Sequence, residues 1–337
     1  MPCLLRTSNA PLALTAALVV LGLAGCGANA ATSARSSTQT QSTTTSSNLP
    51  GTGKPTVTIG DKNFTEQFIL GELYQQALTA QGYSVVLNQN IGPTEVTMRA
   101  LQSGRLDMYP EYLNVGWQSS PAPWNANVPG GQQSFSSRRE AYDAAQKYVT
   151  ALGLELLAPT PFSDTSAVAV SFNYSVQNNL SRIGDLRPLS STLTFGGPPQ
   201  FEQSPAGLPA IERVYGVVPA AYKPLGVGLQ YQALDQGTVQ AADVNTTDGQ
   251  LVSGNYTLLA DPRHLFGWGN AVPVVSAKVL QAEGPAFSST INRVSALLTI
   301  SVIRQLNAAV DISGQDPKVV AQEFLASRGL MPSVPTS

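Results

Sequence analysis

Apolar and polar positions fall into three zones along this chain. Leu12 to Leu23 is a largely apolar run of about a dozen residues, the length of a signal-peptide core and short of the roughly 20 a spanning helix needs. From Gly27 to Gly53 large apolar side chains almost vanish and Ser, Thr, Ala and Gln take over. After Pro55 short β-branched runs of period two alternate with stretches whose apolar residues return every three or four positions, which predicts strands alternating with helices.

Residues 56–60 (Thr-Val-Thr-Ile-Gly) predict a first strand. Asn63, three residues before Glu66, predicts a capped helix start, followed by an apolar stripe through Phe68, Ile69, Leu73, Tyr74 and Ala77. A second strand is predicted over 84–87. A helix then opens at Thr94, passes through Ala100 and Leu101 and stops at Gly104, ahead of a strand at 106–109. Later, 192–195 reads as a strand, Tyr231, Ala233 and Leu234 as a helix capped by Gly237, and 239–244 as another strand. Residues 100–106 and 233–239 share one plan, helix end, glycine, strand start. The pattern predicts an α/β protein of two similar lobes with the ligand cleft between them, lined by segments just past the strand ends. Those segments are 61–63, 110–112, 162–166, 196–201 and 245–248.

Composition narrows the chemistry. The 337 residues hold 19 Lys and Arg against 21 Asp and Glu, with no basic cluster, so nucleic acid is not an expected partner. One His and two Cys leave too few ligands for a zinc site, and neither metal nor cofactor is expected. No GxSxG, Walker-type, HExxH or complete GxGxxG motif is present, and His264 sits in a turn-like run without a nucleophile beside it. The chain does not read as an enzyme. A tethered hydrolase using Asp or Glu stays open as an alternative.

The first apolar run ends in Leu23-Ala24-Gly25-Cys26, which resembles a bacterial lipobox. The resemblance implies a lipoprotein signal peptide over 1–25, lipid on Cys26, and an extracytoplasmic protein held at the cell membrane. Residues 26–54 read as a disordered tether, too polar to offset the entropy of ordering it.

Gly60-Asp61-Lys62-Asn63-Phe64-Thr65-Glu66-Gln67, Leu70-Gly71-Glu72-Leu73-Tyr74, Gly92-Pro93-Thr94-Glu95-Val96 and Asp107-Met108-Tyr109-Pro110-Glu111-Tyr112 together resemble the substrate-binding proteins of osmoprotectant (glycine betaine, choline, quaternary amine) ABC transporters. The resemblance continues through 195–209, Thr246-Thr247-Asp248 and Leu306-Asn307. It implies a two-lobed, type II periplasmic-binding-protein fold with mixed sheets flanked by helices, a small-molecule solute, an ABC permease with its ATPase subunits as partners, and a monomer. On this basis lobe I is 55–160 plus 265–333 and lobe II is 161–264, with hinges at 158–162 and 259–264. Closure of the lobes over the ligand would be the state the permease recognises.

The family's site is a cage of Tyr rings around a quaternary ammonium, with cationic groups on the ligand carboxylate. The resemblance places Lys62 at the carboxylate, Tyr112 at one cage ring and Asp164 facing the ammonium. Ser166, Asn245 and Gly269 stand at the other three ring positions, and Ser204 where an Arg is expected. Each ring is worth ~0.5 to 2 kcal/mol to a bound cation, so the reduced cage leaves a polyol, sugar or aromatic compound open as an alternative solute. The expected ligand-binding residues are Lys62, Asn63, Tyr112, Asp164, Ser166, Phe201, Asn245, Thr246, Trp268 and Asn270. Trp268 would partly replace a missing ring, and Trp117 and Trp124 read as packing residues.

Overall fold

The computed structural model describes residues 49–114 and 135–331. The signal segment, Cys26, most of the tether, Trp117 and Trp124 lie outside them. The first sheet holds β1 (Val57–Gly60), β2 (Val85–Asn88), β3 (Met108–Tyr112), β4 (Leu154–Leu156) and β10 (Ala271–Ser276), in the order β2-β1-β3-β10-β4. The second holds β5 (Ser166–Ser171), β6 (Thr194–Gly197), β7 (Ala221–Pro224), β8 (Ala241–Asn245) and β9 (Tyr256–Leu259), in the order β7-β6-β8-β5-β9. Three strands in each are parallel, and the fourth runs antiparallel beside the third. Among the described residues ten α-helices flank them: α1 (Thr65–Ala80), α2 (Thr94–Gln102), α3 (Arg138–Thr150), α4 (Phe172–Gln177), α5 (Leu208–Tyr215), α6 (Gln230–Asp235), α7 (Ala277–Glu283), α8 (Pro285–Leu297), α9 (Ile300–Asp311) and α10 (Pro317–Ser327).

Both faces of each sheet are buried, as parallel sheets require. In β10, Ala271 and Val275 join one apolar cluster with Leu73, Tyr74, Phe287 and Phe324, while Val272 and Val274 join another with Leu101, Tyr109 and Val149. In β5, Val168 and Val170 face Phe195, Leu186 and Ile211, and Ala167 and Ala169 face Leu234 and Val239. The period of two in these strands therefore sorts side chains between two cores. Each fully buried Leu or Ile contributes ~1.5 to 3 kcal/mol.

The seven-residue similarity marks a shared turn. Gly104 N–H donates to Leu101 O at 3.0 Å and Arg105 N–H to Ala100 O at 3.0 Å; Gly237 N–H donates to Leu234 O at 3.1 Å and Thr238 N–H to Ala233 O at 3.0 Å. Both glycines are left-handed, with φ of 73° and 65°, a conformation an L side chain resists. Each turn delivers the chain into the third strand of its sheet.

Several boundaries differ from the sequence expectation; the strands expected at 192–195 and 239–244 begin two residues later, as β6 and β8. Helix α1 begins at Thr65 with Phe64, not Asn63, at its N-cap, because the Gln67 side chain accepts from Lys62 N–H at 3.2 Å and holds the loop short of the cap. Strand β3 lies two or three residues later than 106–109. Leu106 still belongs to the helix-end turn, and the strand then continues through Pro110, opposite Pro273. Residues 49–54, assigned to the tether, form turns instead. Gly51 N–H donates to Gln81 O at 2.9 Å, the Lys54 ammonium donates to Ala282 O at 2.7 Å, and a side chain at Gly51 would collide with the Tyr83 backbone at 2.2 Å.

The chain leaves the first sheet after Leu156 and returns to it at Ala271. The two crossings pair with each other: Asp164 N–H donates to Gly269 O at 2.8 Å and Thr160 N–H to Ala271 O at 2.8 Å. Residues 261–264 lie before this pairing, tied to Tyr215 and Val214 of the second half.

Candidate ligand cavity

A cavity of about 950 Å³ opens between the two sheets, lined from both. Its first wall starts where β1 and β3 end. Lys62, 6% exposed, projects its ammonium onto Glu111 Oε1 and donates to Thr94 Oγ1 at 3.3 Å. The same ammonium stands 4.9 Å from the Tyr112 ring centroid and 5.7 Å from that of Phe64, and the two rings stack at 6.1 Å. That is cation-π geometry. Glu111 is fully buried and also accepts from Tyr109 OH at 3.0 Å and from Tyr112 N–H at 2.9 Å. Tyr112 OH donates to Glu66 Oε1 at 2.7 Å, and the Asn307 amide donates to Glu66 Oε2 at 2.9 Å.

The second wall is the end of β8 and the crossing beside it. Asp243, Asn245 and Asp248 line it with Asp164. Asp248 is well supplied, accepting from Tyr231 OH at 2.9 Å and Asn245 N–H at 3.0 Å. One carboxylate oxygen of Asp164 and one of Asp243 are buried and accept no hydrogen bond. Asp243 is only 4% exposed.

The carboxyls of this cavity are raised above their ordinary values. Burial raises the Glu66 carboxyl, opposed by its bonds to Asn307 and Tyr112. Burial, then the charges of Glu66 and Asp248, push Asp164 well above the carboxylate range, although a hydrogen bond from Thr247 and the charge of Lys62 pull it down. Asp243 is pushed up by burial, opposed by the Ser166 hydroxyl and raised further by Asp248, and Asp248 is raised by burial against its bonds from Asn245 and Tyr231. Desolvation disfavours the charged form in every case.

α9 locks one edge of the cavity. The Arg304 guanidinium donates to Thr246 O at 2.7 Å and the Asn307 amide to Thr247 O at 2.9 Å. Gly249 packs so closely that a Cβ there would lie 2.6 Å from the Ala308 backbone.

Of the residues expected from sequence, Lys62, Asn63, Tyr112, Asp164 and Asn245 line the cavity. Ser166 is buried beneath the wall beside Asp243. Phe201 is a core residue, stacked on Phe195 at 5.9 Å. Thr246 clamps the crossing, its hydroxyl donating to Ser163 O and accepting from Thr165 N–H. Trp268 stacks on His264 at 4.3 Å and donates to Phe135 O at 3.1 Å, and Asn270 donates to Thr160 O and Phe162 O at 2.9 Å each. Gly269 leaves no space for a ring, since a Cβ would meet Asp164 O at 1.7 Å. Phe64, Glu66, Asp243, Asp248 and Asn307 also line the cavity. Phe64 and Glu66 are signalled by following the first strand end, whereas Asp243 lies inside β8.

A sequence model for the substrate binding domain of ABC-type glycine betaine transport systems, OpuAC, matches residues 55–327. The chain belongs to the OpuAC family. Two relatives of this OpuAC protein are a glycine-betaine-binding protein of Pseudomonas aeruginosa, 32% identical over 82% of this chain and 89% of its own, and the glycine betaine-binding protein YehZ of Escherichia coli, 29% identical over 83% and 93%. Among solved structures, a glycine betaine/carnitine/choline ABC transporter protein superposes with a TM-score of 0.73 at 22% identity, covering 81% of this chain and 99% of its own. Apo YehZ from Escherichia coli superposes at 0.67 and 28% identity, over 82% and 99%. The fold is that of type II periplasmic binding proteins, and the family's members are extracytoplasmic solute-binding proteins of ABC transporters, not enzymes.

Proposed function

We propose that this OpuAC-family protein captures a quaternary-amine osmolyte of the glycine betaine and choline type between its two sheets and delivers it to a membrane permease. The observation that carries the reading is the first wall, where Tyr112 and Phe64 form a stacked aromatic pair in cation-π contact with an ammonium group, Lys62 Nζ, inside a carboxylate-lined cavity. Asn63, Tyr112, Asp164 and Asn245 are the proposed contacts among the expected set, with Phe64 added, while Lys62 holds the wall through Glu111. The proposed lobes are 55–160 plus 265–333 and 161–264, hinged at the paired crossings. Lipid on Cys26 and the tether after it would keep the receptor beside its permease. That part rests on the Leu23-Ala24-Gly25-Cys26 order and is tested by whether Cys26→Ser releases the protein from membranes.

A thermal-shift panel of glycine betaine, choline, carnitine, proline and polyols tests the ligand. Ligand at 100 times its dissociation constant stabilises by about 2.7 kcal/mol, so a true ligand shifts the melting temperature clearly. A shift with a quaternary amine that is lost in Tyr112→Ala is the expected result. A shift with polyols alone would overturn the proposal.

A further inference from the structure

We infer that the cavity selects a ligand of net positive charge with no carboxylate, a choline-like monocation, over a zwitterion carrying the same quaternary head. This rests on the quaternary-amine reading and sharpens it. Among the described residues, the cavity lining contains one cationic side chain, Lys62, and six acidic ones: Glu66, Glu95, Asp164, Asp243, Asp248 and Asp311. Lys62 is not at the disposal of a ligand carboxylate. Its ammonium is tied to Glu111 and Thr94 and covered by two rings, and Glu111 is fully buried. Pulling Lys62 away would strand that carboxylate without its cation, which is costly.

The second wall supplies the complementary half. Asp243 lines the cavity, is 4% exposed, and keeps one oxygen without a hydrogen-bond donor, as Asp164 does. A buried carboxylate is stabilised by an opposite charge within about 4 to 6 Å, and an organic cation in this cavity brings one. Among the described residues no group of three or more His, Cys, Asp or Glu is placed to hold a metal ion, so the geometry favours an organic cation. Among the described residues of the lining, no free cation is present to receive the carboxylate of a zwitterion.

The test is calorimetric titration of the purified protein with choline chloride and with glycine betaine, which share the trimethylammonium head and differ in the carboxylate. Choline should bind roughly tenfold or more tighter, and Asp243→Asn should weaken choline by roughly tenfold while narrowing the ratio. Asp164→Asn is the second variant should Asp243→Asn not fold. Glycine betaine binding as tightly as choline would overturn the inference and leave the quaternary-amine reading intact. A choline preference unchanged in both Asp variants would overturn the role given to the second wall. Binding of neither compound would overturn the quaternary-amine reading itself.

Discussion

At the same place in the two sheets, the last three residues of the third strand, this protein carries Pro110-Glu111-Tyr112 on one side and Asp243-Val244-Asn245 on the other. Tyr112 pairs with Ala271, the first residue of β10, and Asn245 with Ser166, the first residue of β5, so the two positions correspond. On the first side the buried acids of the wall have partners: Glu111 has Lys62 and Tyr109, and Glu66 has Tyr112 and Asn307. On the second side Asp243 is just as buried and keeps an oxygen without a donor. A repeated frame fixes where side chains stand, and the residues placed there decide which wall is internally neutralised and which is left to a ligand.

The largest effect should come from breaking the satisfied wall. Glu111→Gln leaves the Lys62 ammonium buried beside a neutral amide, and urea unfolding at pH 7 should show a loss of about 3 to 5 kcal/mol. A loss below about 1 kcal/mol would mean that the pair is dispensable and the walls are alike. The opposite change is expected opposite it. Because Asp243 is raised in the folded protein, the folded state binds more protons than the unfolded one, and stability falls as pH climbs above the ordinary carboxylate range. Asp243→Asn should flatten that decline and be no less stable than the parent at pH 8.

Asp61 separates pairing from location. It belongs to the first half, yet its Oδ2 accepts no hydrogen bond, and burial, with a smaller push from Glu72, raises it from 3.8 to about 7. If pairing is what matters, Asp61 behaves like Asp243: its contribution is favourable below the unfolded value and is lost as pH rises toward about 7. Asp61→Asn should then gain on the order of 2 to 4 kcal/mol relative to the parent between pH 4 and pH 8. Parallel stability curves for parent and variant would show that location, not pairing, sets the asymmetry.

Gly249→Ala probes the edge where the halves are fastened. The new methyl has to push Ala308 away, so a loss of about 1 to 3 kcal/mol is expected in thermal unfolding. An unchanged melting temperature would show that this contact yields freely. The smallest effect is the most informative about ancestry of the site: Asn245→Tyr puts a ring on the second wall at the position corresponding to Tyr112, and should tighten binding of a quaternary ammonium by ~0.5 to 2 kcal/mol. Calorimetric titration with choline reads it, and weaker binding would mean that the second wall has no room for a ring.

Period and punctuation made the frame legible in the sequence. The β-branched run at 56–60, the glycines at 104 and 237 and the likeness of 100–106 to 233–239 each mark features present in the structure. The site was legible only where a residue follows a strand end, as Lys62 and Tyr112 do. Phe201, Thr246 and Asn270 also stand near strand ends, but they are consumed by core stacking or by the crossing strands. No local pattern distinguishes those uses. Asp243 was missed because an acid between Ala242 and Val244 in a buried strand carries no signal until β5 is laid beside it.

The most direct measurement is a crystal structure of the protein with choline. The account predicts the choline nitrogen in the cavity within about 6 Å of the Tyr112 ring or of the Asp164 and Asp243 carboxylates, with Lys62 still on Glu111. Choline bound elsewhere, or Lys62 withdrawn from Glu111 to reach the ligand, would contradict it.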